Sequence, residues 1–194
     1  MTETANSAAG RAAWLAEGLH LLTEHGAPEV TLDRLCTRMG KSKGSFYHHF
    51  GSMGGYRKAL FAHFEDQGTG SIIEQVEAGG PLTAKDRLRR LLAQVLAGGP
   101  ETEIAMRAWA KQDPGAEAAQ RRVDAARTAY LRELCTEGGH PDPKRMSDLI
   151  YLILIGAEHL TPPLAAEDLR DTYEALFTLA WPGFGPLFEG VGKA

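Results

Sequence analysis

Apolar residues recur through most of the chain at the three- and four-residue spacing that is typical of α-helices. The stripe Leu15, Gly18, Leu19 and Leu22 predicts a first helix over residues 11–25, preceded by a disordered tail over residues 1–9. Similar patterns predict further helices over residues 51–78, 85–96, 101–112, 115–136, 143–159 and 165–180. No stretch reads convincingly as a strand, so the predicted fold class is all-α, with about nine helices.

Between the first two of these elements, residues 31–50 predict two short helices around a tight turn. Thr31 is suited to cap the first helix, Gly40 to end it and Ser42 to cap the second. The apolar positions expected to face the core are Leu32, Leu35, Met39, Phe46 and Phe50, with help from Tyr47. This layout is typical of a helix-turn-helix, although an ordinary helical hairpin would show the same spacing.

If the hairpin is a helix-turn-helix, its second helix presents Lys43, Ser45, Tyr47 and His48 to a partner. Ammonium, hydroxyl and phenol groups at a helix N-terminus suit phosphate oxygens and base edges in a major groove. The charge distribution agrees weakly. Residues 1–60 carry seven Lys/Arg and five Asp/Glu, whereas the remainder is acidic and the whole chain has a net charge of −4. This bias alone would not indicate DNA binding.

Gly68 and Gly70 lie inside the helix predicted over residues 51–78. An interior glycine costs about 0.5–1 kcal/mol relative to alanine. A continuous helix and a break at this point are both open interpretations.

Other features of the sequence favour a cytoplasmic protein. Cys36 and Cys135 are far apart and show no CxxC spacing, which predicts no disulfide framework. The first ten residues lack the basic start and apolar segment of a signal peptide. The longest apolar run, residues 149–157, is too short to span a bilayer and predicts a buried helix.

The helix-turn-helix residues resemble the N-terminal signature of TetR-type (tetracycline-repressor-like) transcriptional regulators. The matching positions are Thr31–Leu32, Leu35, Gly40, Ser42–Ser45, Tyr47 and His49–Phe50, within residues 11–61. The resemblance implies a DNA-binding domain over residues 1–50 and a helical ligand-binding and dimerisation domain over residues 51–194. It also implies the function: a homodimer that binds a palindromic operator in double-stranded DNA, most often as a repressor, and is released by a small-molecule effector.

Carried over position by position, the resemblance implies that Lys43, Gly44 and Ser45 meet bases. The positions that correspond to phosphate contacts are Thr31, Ser42, Tyr47 and His48. Lys41 is either an additional phosphate contact or simply exposed, and the same alternatives are open for Arg34 and Arg38.

The sequence departs from the family's pattern at two positions. Met53 stands where a phosphate-binding lysine is common, and Tyr56 stands where leucine is usual. Sequence-independent binding is therefore expected to be weaker, unless Lys41, Arg57 or Lys58 compensates.

In the family, the last two long helices of each subunit form a four-helix bundle with the partner. The helix around residues 150–155 is apolar nearly all round and needs cover on more than one side. The expected interface residues are Ile150, Leu154, Tyr173, Leu176, Phe177 and Ala180. A monomer that folds back to bury this surface is the alternative.

The resemblance also implies a small-molecule pocket in the body of the protein, the helical domain over residues 51–194. Candidate ligand-binding residues are Phe64, Met106, Trp109, Tyr130, Tyr151, Leu152, Ile155 and His159. Aromatic and methionine side chains with few polar groups suit a largely apolar effector. Any of these residues could instead be plain core, and His159 could be a capping or surface histidine.

Catalysis is not expected. The histidines and cysteines show no metal-ligand spacing, and neither an HExxH nor a GxSxG motif occurs. No cofactor and no metal are therefore predicted. The alternative function is a helical small-molecule-binding or adaptor protein that has lost DNA binding. Its main support is Met53 and the many glycines of the helix predicted over residues 51–78.

Overall fold

The computed structural model describes residues 2–78 and 82–188, and these are almost entirely helical. The α-helices are α1 (Thr2–His25), α2 (Leu32–Met39), α3 (Lys43–Phe50), α4 (Met53–Glu65), α5 (Ser71–Glu77), α6 (Ala84–Ala97), α7 (Glu101–Ala110), α8 (Pro114–Glu137), α9 (Pro143–His159) and α10 (Ala166–Ala180). Short 3₁₀-helices span Ala27–Glu29 and Pro182–Phe184. The described residues contain no strand, and the all-α prediction is confirmed.

The helix predicted over residues 51–78 is interrupted but does not end at the two glycines. A π-helical turn over Asp66–Gly70 connects α4 to α5 and contains both glycines that suggested a break. If α4 and α5 are counted as one helix across this turn, the described residues form nine. π-Helical turns of this kind insert extra backbone into a helix without ending it.

The prediction of a disordered tail over residues 1–9 is wrong. In the structure α1 begins at Thr2 rather than at Arg11. The early segment contains Ala5, Ala8 and Ala9. Because alanine is the strongest helix former, these residues favour extension of α1 toward its N-terminus.

The chain divides into two compact units. The first combines residues 1–68 with residues 101–122, and the second combines residues 69–100 with residues 123–194. The domain boundary expected after residue 50 stays a prediction. Within the first unit, α4 shares the core: Tyr56 and Leu60 are fully buried and lie next to Gly18 of α1.

The core of the first unit is rich in aromatic residues. Its fully buried side chains include Trp14, Leu21, Leu22, Leu35, Phe46, Tyr56, Leu60 and Met106. Thr23 of α1 lies 3.0 Å from Thr102 of α7 between hydroxyl oxygens, and the rings of Phe61 and Trp109 meet edge to face at 5.0 Å. These contacts place α7 within this unit.

The second unit has its own apolar core between α5, α6, α8, α9 and α10. Leu88, Leu134, Ile150, Tyr173 and Phe177 are at most 1% exposed. The buried Tyr173 hydroxyl donates to the Ile150 carbonyl at 3.1 Å, which joins α9 to α10. No helix in the described part of the chain is long and apolar enough to cross a membrane.

A segment after α10 (residues 181–188) completes this core, and no helical pattern in the sequence predicted it. Its buried side chains are Trp181, Phe184, Leu187 and Phe188. Lys85 of α6 donates to the Gly183 carbonyl at 2.6 Å, and Arg89 donates to the carbonyls of Phe184 and Pro186 at 2.9 and 3.0 Å. The carboxylate of Glu174 on α10 accepts from the last two backbone N–H groups of the segment.

Candidate nucleic-acid interface

The turn between α2 and α3 is built by the residues that the sequence predicted for it. The Thr31 hydroxyl accepts a hydrogen bond from the Arg34 N–H at 3.4 Å and caps α2. Gly40 ends α2 with a φ of 59°, in the left-handed region that favours glycine. The Ser42 hydroxyl accepts from the Ser45 N–H at 3.3 Å and caps α3. The geometry of a helix-turn-helix is therefore present.

The inner side of α3 is fixed by aromatic packing. Phe46 is fully buried, and its ring meets that of Trp14 edge to face at 5.5 Å. Phe50, one turn later, lies 5.2 Å from Phe46 and 4.9 Å from Tyr56 between ring centres. Because these rings hold one side of α3 against the core, its other side faces solvent.

The outer side of α3 and the preceding turn carry the residues predicted to contact DNA. Those that are exposed are Thr31, Lys41, Ser42, Lys43, Gly44, Tyr47 and His48, while Ser45 is half-buried. Tyr47 is 47% exposed, and its ring meets that of the buried Phe46 edge to face at 5.7 Å. The surface thus combines hydrogen-bond donors and acceptors that suit phosphates and base edges.

The Lys43 ammonium is paired with a carboxylate of the neighbouring helix. Its Nζ lies 2.6 Å from Oδ1 of Asp33 in the first turn of α2, and the side chains are 60% and 78% exposed. The hydrogen bond to Asp33 raises the pKa of Lys43 above its ordinary value. The sequence does not reveal this pair, because the spacing of residues on two different helices does not show whether they meet.

Two arginines of α2 are also paired within the first unit. The Arg34 Nε lies 2.5 Å from a carboxylate oxygen of Glu29. Arg38 donates to Glu17 at 2.6 Å and to Glu24 at 2.8 and 3.3 Å, and its hydrogen bonds lower the pKa of Glu24. Arg38 therefore ties α2 to α1.

Met53 is the first residue of α4 and is half-buried. Because methionine is uncharged, no cation stands at the start of this helix. Of the cations considered as replacements, Arg57 lies 3.7 Å from Asp113. Lys41 and Lys58 have no ion-pair partner among the residues that the structure describes, and both are exposed. These two lysines are the available replacements.

The eight candidate effector residues are divided between the two units. Phe64, Met106 and Trp109 are buried in the first unit. In the second unit, the Tyr130 hydroxyl donates to Glu77, and the Tyr151 hydroxyl donates to Asp124 at 2.7 Å. The effector site stays a prediction.

The remaining three candidates lie toward the end of α9. Leu152 is 65% exposed and Ile155 is half-buried. The exposed His159 lies 2.9 Å from the Ile155 carbonyl through its Nδ1, as a capping histidine would.

The candidate dimer residues differ in burial. Ile150, Tyr173 and Phe177 are buried within the core of the second unit, whereas Leu154, Leu176 and Ala180 are half-buried. Helical spacing identified the inward-facing positions but could not show whether the chain itself or a partner covers them. The interface stays a prediction, and the first three residues have little surface left for a partner.

Known proteins share this fold. Residues 15–60 match the sequence model of the family described as bacterial regulatory proteins, tetR family. No curated protein matches the chain. A solved structure from Rhodococcus sp., assigned to the TetR family of transcriptional regulators, has a TM-score of 0.71 and 20% identity, covering 88% of this chain and 98% of that one. A TetR transcription regulator from Haloarcula marismortui ATCC 43049 has a TM-score of 0.72 and 17% identity, covering 89% and 97%.

The described helices, with a capped and outward-facing α3, define an all-α helix-turn-helix protein. Residues 15–60 are similar to the N-terminal part of bacterial regulatory proteins of the tetR family, and the chain has the fold of solved TetR-family transcriptional regulators. The resemblance predicted from the α2–α3 motif is confirmed. Regulators of this family are transcription factors rather than enzymes, in agreement with the prediction that the chain has no catalytic activity.

Proposed function

We propose that the chain is a ligand-responsive transcriptional regulator that binds a palindromic operator in double-stranded DNA as a homodimer. It represses transcription while bound and leaves the operator when a small, largely apolar effector binds its body. Residues 1–50 form the DNA-binding domain, residues 51–194 form the ligand-binding and dimerisation domain, and the protein acts in the cytoplasm.

The outward face of α3 carries this proposal. Lys43, Gly44 and Ser45 form the first turn of the helix, and the opening residues of a recognition helix contact base edges in the major groove. Tyr47 and His48 are also exposed on this surface and are suited to contact the flanking phosphates. The aromatic packing of Phe46 behind them keeps the helix rigid, which a base-reading element requires.

Exposed stripes on α9 and α10 support a dimer. The stripe on α9 consists of Leu149, Leu152 and Gly156, and that on α10 consists of Thr172, Ala175 and Leu179, each at i, i+3 and i+7. Leu152 is 65% exposed and Leu179 is 82% exposed. Leucine side chains left in solvent beside small residues suit the close approach of a second copy's helices.

Release by an effector requires that the effector bind one conformation of the dimer better than the other. The apolar candidates in the body support a ligand with few polar groups. A library of hydrophobic compounds should contain molecules that raise the melting temperature of the protein, because a ligand of the native state stabilises it. The same molecules should weaken operator binding.

DNA binding is tested by selection of an operator from a random-sequence duplex library with the full chain. Lys43→Ala and Tyr47→Phe should weaken binding to the selected duplex without lowering the melting temperature. Lys144→Ala is the matched control, because Lys144 is also an exposed lysine, 70% exposed, that lies 2.6 Å from an aspartate, Asp148 of α9. It should leave binding unchanged.

Failure of the selection would overturn the DNA-binding proposal. If the protein enriches no sequence and binds no duplex at low salt, a helical ligand-binding or adaptor protein becomes the better description. Equal loss of binding in Lys43→Ala and Lys144→Ala would show that α3 has no special role.

A further inference from the structure

Asp33 places a negative charge beside the opening turn of α3. A helix N-terminus carries a partial positive charge, which favours carboxylates and disfavours cations. The first turn of α3 contains no Asp or Glu of its own, and its first residue is the cationic Lys43. The Asp33 carboxylate, 2.6 Å from the Lys43 ammonium, supplies the missing anion from α2.

We propose that Asp33 is a specificity-determining positioning residue, which keeps the Lys43 ammonium available to base edges and withholds it from DNA phosphates. The inference rests on the proposed DNA-binding function. It concerns the ratio of the protein's affinity for the operator to its affinity for unrelated DNA.

A phosphate that approaches Lys43 also meets the negative charge of Asp33. If the ammonium moves to a phosphate, the carboxylate is left without its partner close to a negatively charged backbone, and like charges repel. A phosphate that approaches the intact pair meets a lysine whose charge is already balanced. Either route makes a phosphate contact by Lys43 less favourable than one by a free lysine such as Lys41.

A base edge carries no such penalty. The Lys43 ammonium has three N–H donors, so one can stay on Asp33 while others reach O6 and N7 of a guanine. These acceptors carry no net charge, so they repel the carboxylate much less than a phosphate does. Asp33 can itself accept from the amino group of a cytosine.

The surroundings make the contribution of Lys43 large. Arg34 and Arg38 are occupied by Glu29, Glu17 and Glu24, and Met53 replaces a cation at the start of α4. With few free cations on this surface, the behaviour of one lysine changes non-specific binding measurably.

The test compares Asp33→Asn with the wild-type full chain on two duplexes, the selected operator and a scrambled duplex of the same length and composition. Fluorescence anisotropy is measured between about 50 and 200 mM salt. The variant should bind the scrambled duplex several-fold more tightly, so the ratio of operator to scrambled affinity should fall. The slope of log affinity against log salt for the scrambled duplex should steepen by about 0.9 for each Lys43 that gains a phosphate contact.

Two controls isolate the mechanism. Glu117→Gln makes the same charge change at an exposed position of α8 and should leave the affinity ratio unchanged. In a Lys43→Ala background, Asp33→Asn should have no further effect, because Asp33 is proposed to act through Lys43. Melting curves confirm that each variant is folded.

An effect of Asp33→Asn that persists in the Lys43→Ala background would overturn the inference, since Asp33 would then repel DNA directly. An unchanged affinity ratio in the single variant would also overturn it while the proposed function stands. If the wild-type protein binds neither duplex, the proposed function fails and the inference fails with it.

Discussion

The Tyr56 hydroxyl occupies the space in which a side chain at position 18 would begin. It donates to the Trp14 carbonyl at 2.9 Å, and a Cβ at Gly18 would lie 1.9 Å from the tyrosine oxygen. Burial raises the pKa of Tyr56, which keeps the phenol a neutral donor. The tyrosine that stands where TetR-type proteins usually have leucine is therefore matched by a glycine on the facing helix.

Gly18→Ala should destabilise the protein. The new methyl group overlaps the Tyr56 hydroxyl, and overpacking of this kind costs about 1–3 kcal/mol, partly offset by the higher helix propensity of alanine. Urea denaturation measures the change in the free energy of unfolding.

The control for this prediction is the same substitution in a Tyr56→Leu background. Leucine lacks the hydroxyl and the ring carbon that lie within 3.0 Å of the position the alanine methyl group would take, so Gly18→Ala should cost less there. Equal costs in both backgrounds would show that the two residues are not coupled.

Arg38→Ala should lower the melting temperature and leave the salt dependence of DNA binding unchanged. The reason is that the Arg38 guanidinium is held by Glu17 and Glu24 of α1 rather than being free for a phosphate. Arg38→Lys should also lower the melting temperature, because one ammonium cannot reproduce the contacts of the guanidinium fork.

Lys41→Ala provides the comparison for Arg38. As an exposed lysine without an ion-pair partner among the described residues, Lys41 should contribute about 0.9 to the salt slope for each phosphate that it neutralises. If Arg38→Ala reduces the slope as much as Lys41→Ala does, Arg38 contacts DNA after all.

Leu152→Glu and Leu179→Glu should each shift the protein from dimer toward monomer. Both leucines are exposed on the stripes proposed to meet a second copy, and a carboxylate buried there would lack a partner. Size-exclusion chromatography with light scattering gives the mass at micromolar concentration. Ala12→Glu adds the same charge to an exposed position of α1 and should leave the mass unchanged. A wild-type monomer, or dimers in all three variants, would contradict the interface.

Acid should destabilise the first unit through two histidines. Burial lowers the pKa of His63 below its ordinary value of 6.5, with Arg11 adding to the effect and Asp66 opposing it. Burial, His48 and Arg11 lower the pKa of His49 in the same way. Because the folded pKa is below the unfolded one, the unfolded chain binds more protons between the two values.

The free energy of unfolding should therefore be fully retained above about pH 7.5, and it should fall as the pH drops through about 6.5. The histidine contribution to this fall ends below the folded pKa values. Urea denaturation across this range measures the fall, and His63→Gln should reduce it relative to the wild-type protein. If the fall in His63→Gln and in His49→Gln is as large as in the wild-type protein, other groups cause it.

Local signals in the sequence predicted the helices well. The start of α9 at Pro143 follows from the Asp142 side chain, which accepts from the Arg145 N–H at 3.1 Å, and from the proline at the first helical position. The α2–α3 turn was predictable for the same reason, because its caps bond to residues close by in the chain.

Contacts between distant residues could not be predicted. The pairing of Asp33 with Lys43 and the match of Tyr56 to Gly18 depend on how the helices pack. The burial of Ile150 and Tyr173 within one unit likewise depends on which helix covers them. A single sequence gives the inward-facing positions of each helix but does not give their neighbours.

The order of synthesis has a consequence for this chain. Neither unit is a continuous stretch of the chain. Residues 101–122 belong to the first unit and separate the two parts of the second. The second unit also buries residues 181–188 against α6 and α10. Because the N-terminus of the chain leaves the ribosome first, the apolar sides of α5 and α6 are not fully covered until residues 123–188 have also emerged. During translation the nascent chain therefore exposes apolar helices for longest in the second unit, whereas α1 to α4 of the first unit can make most of their contacts early.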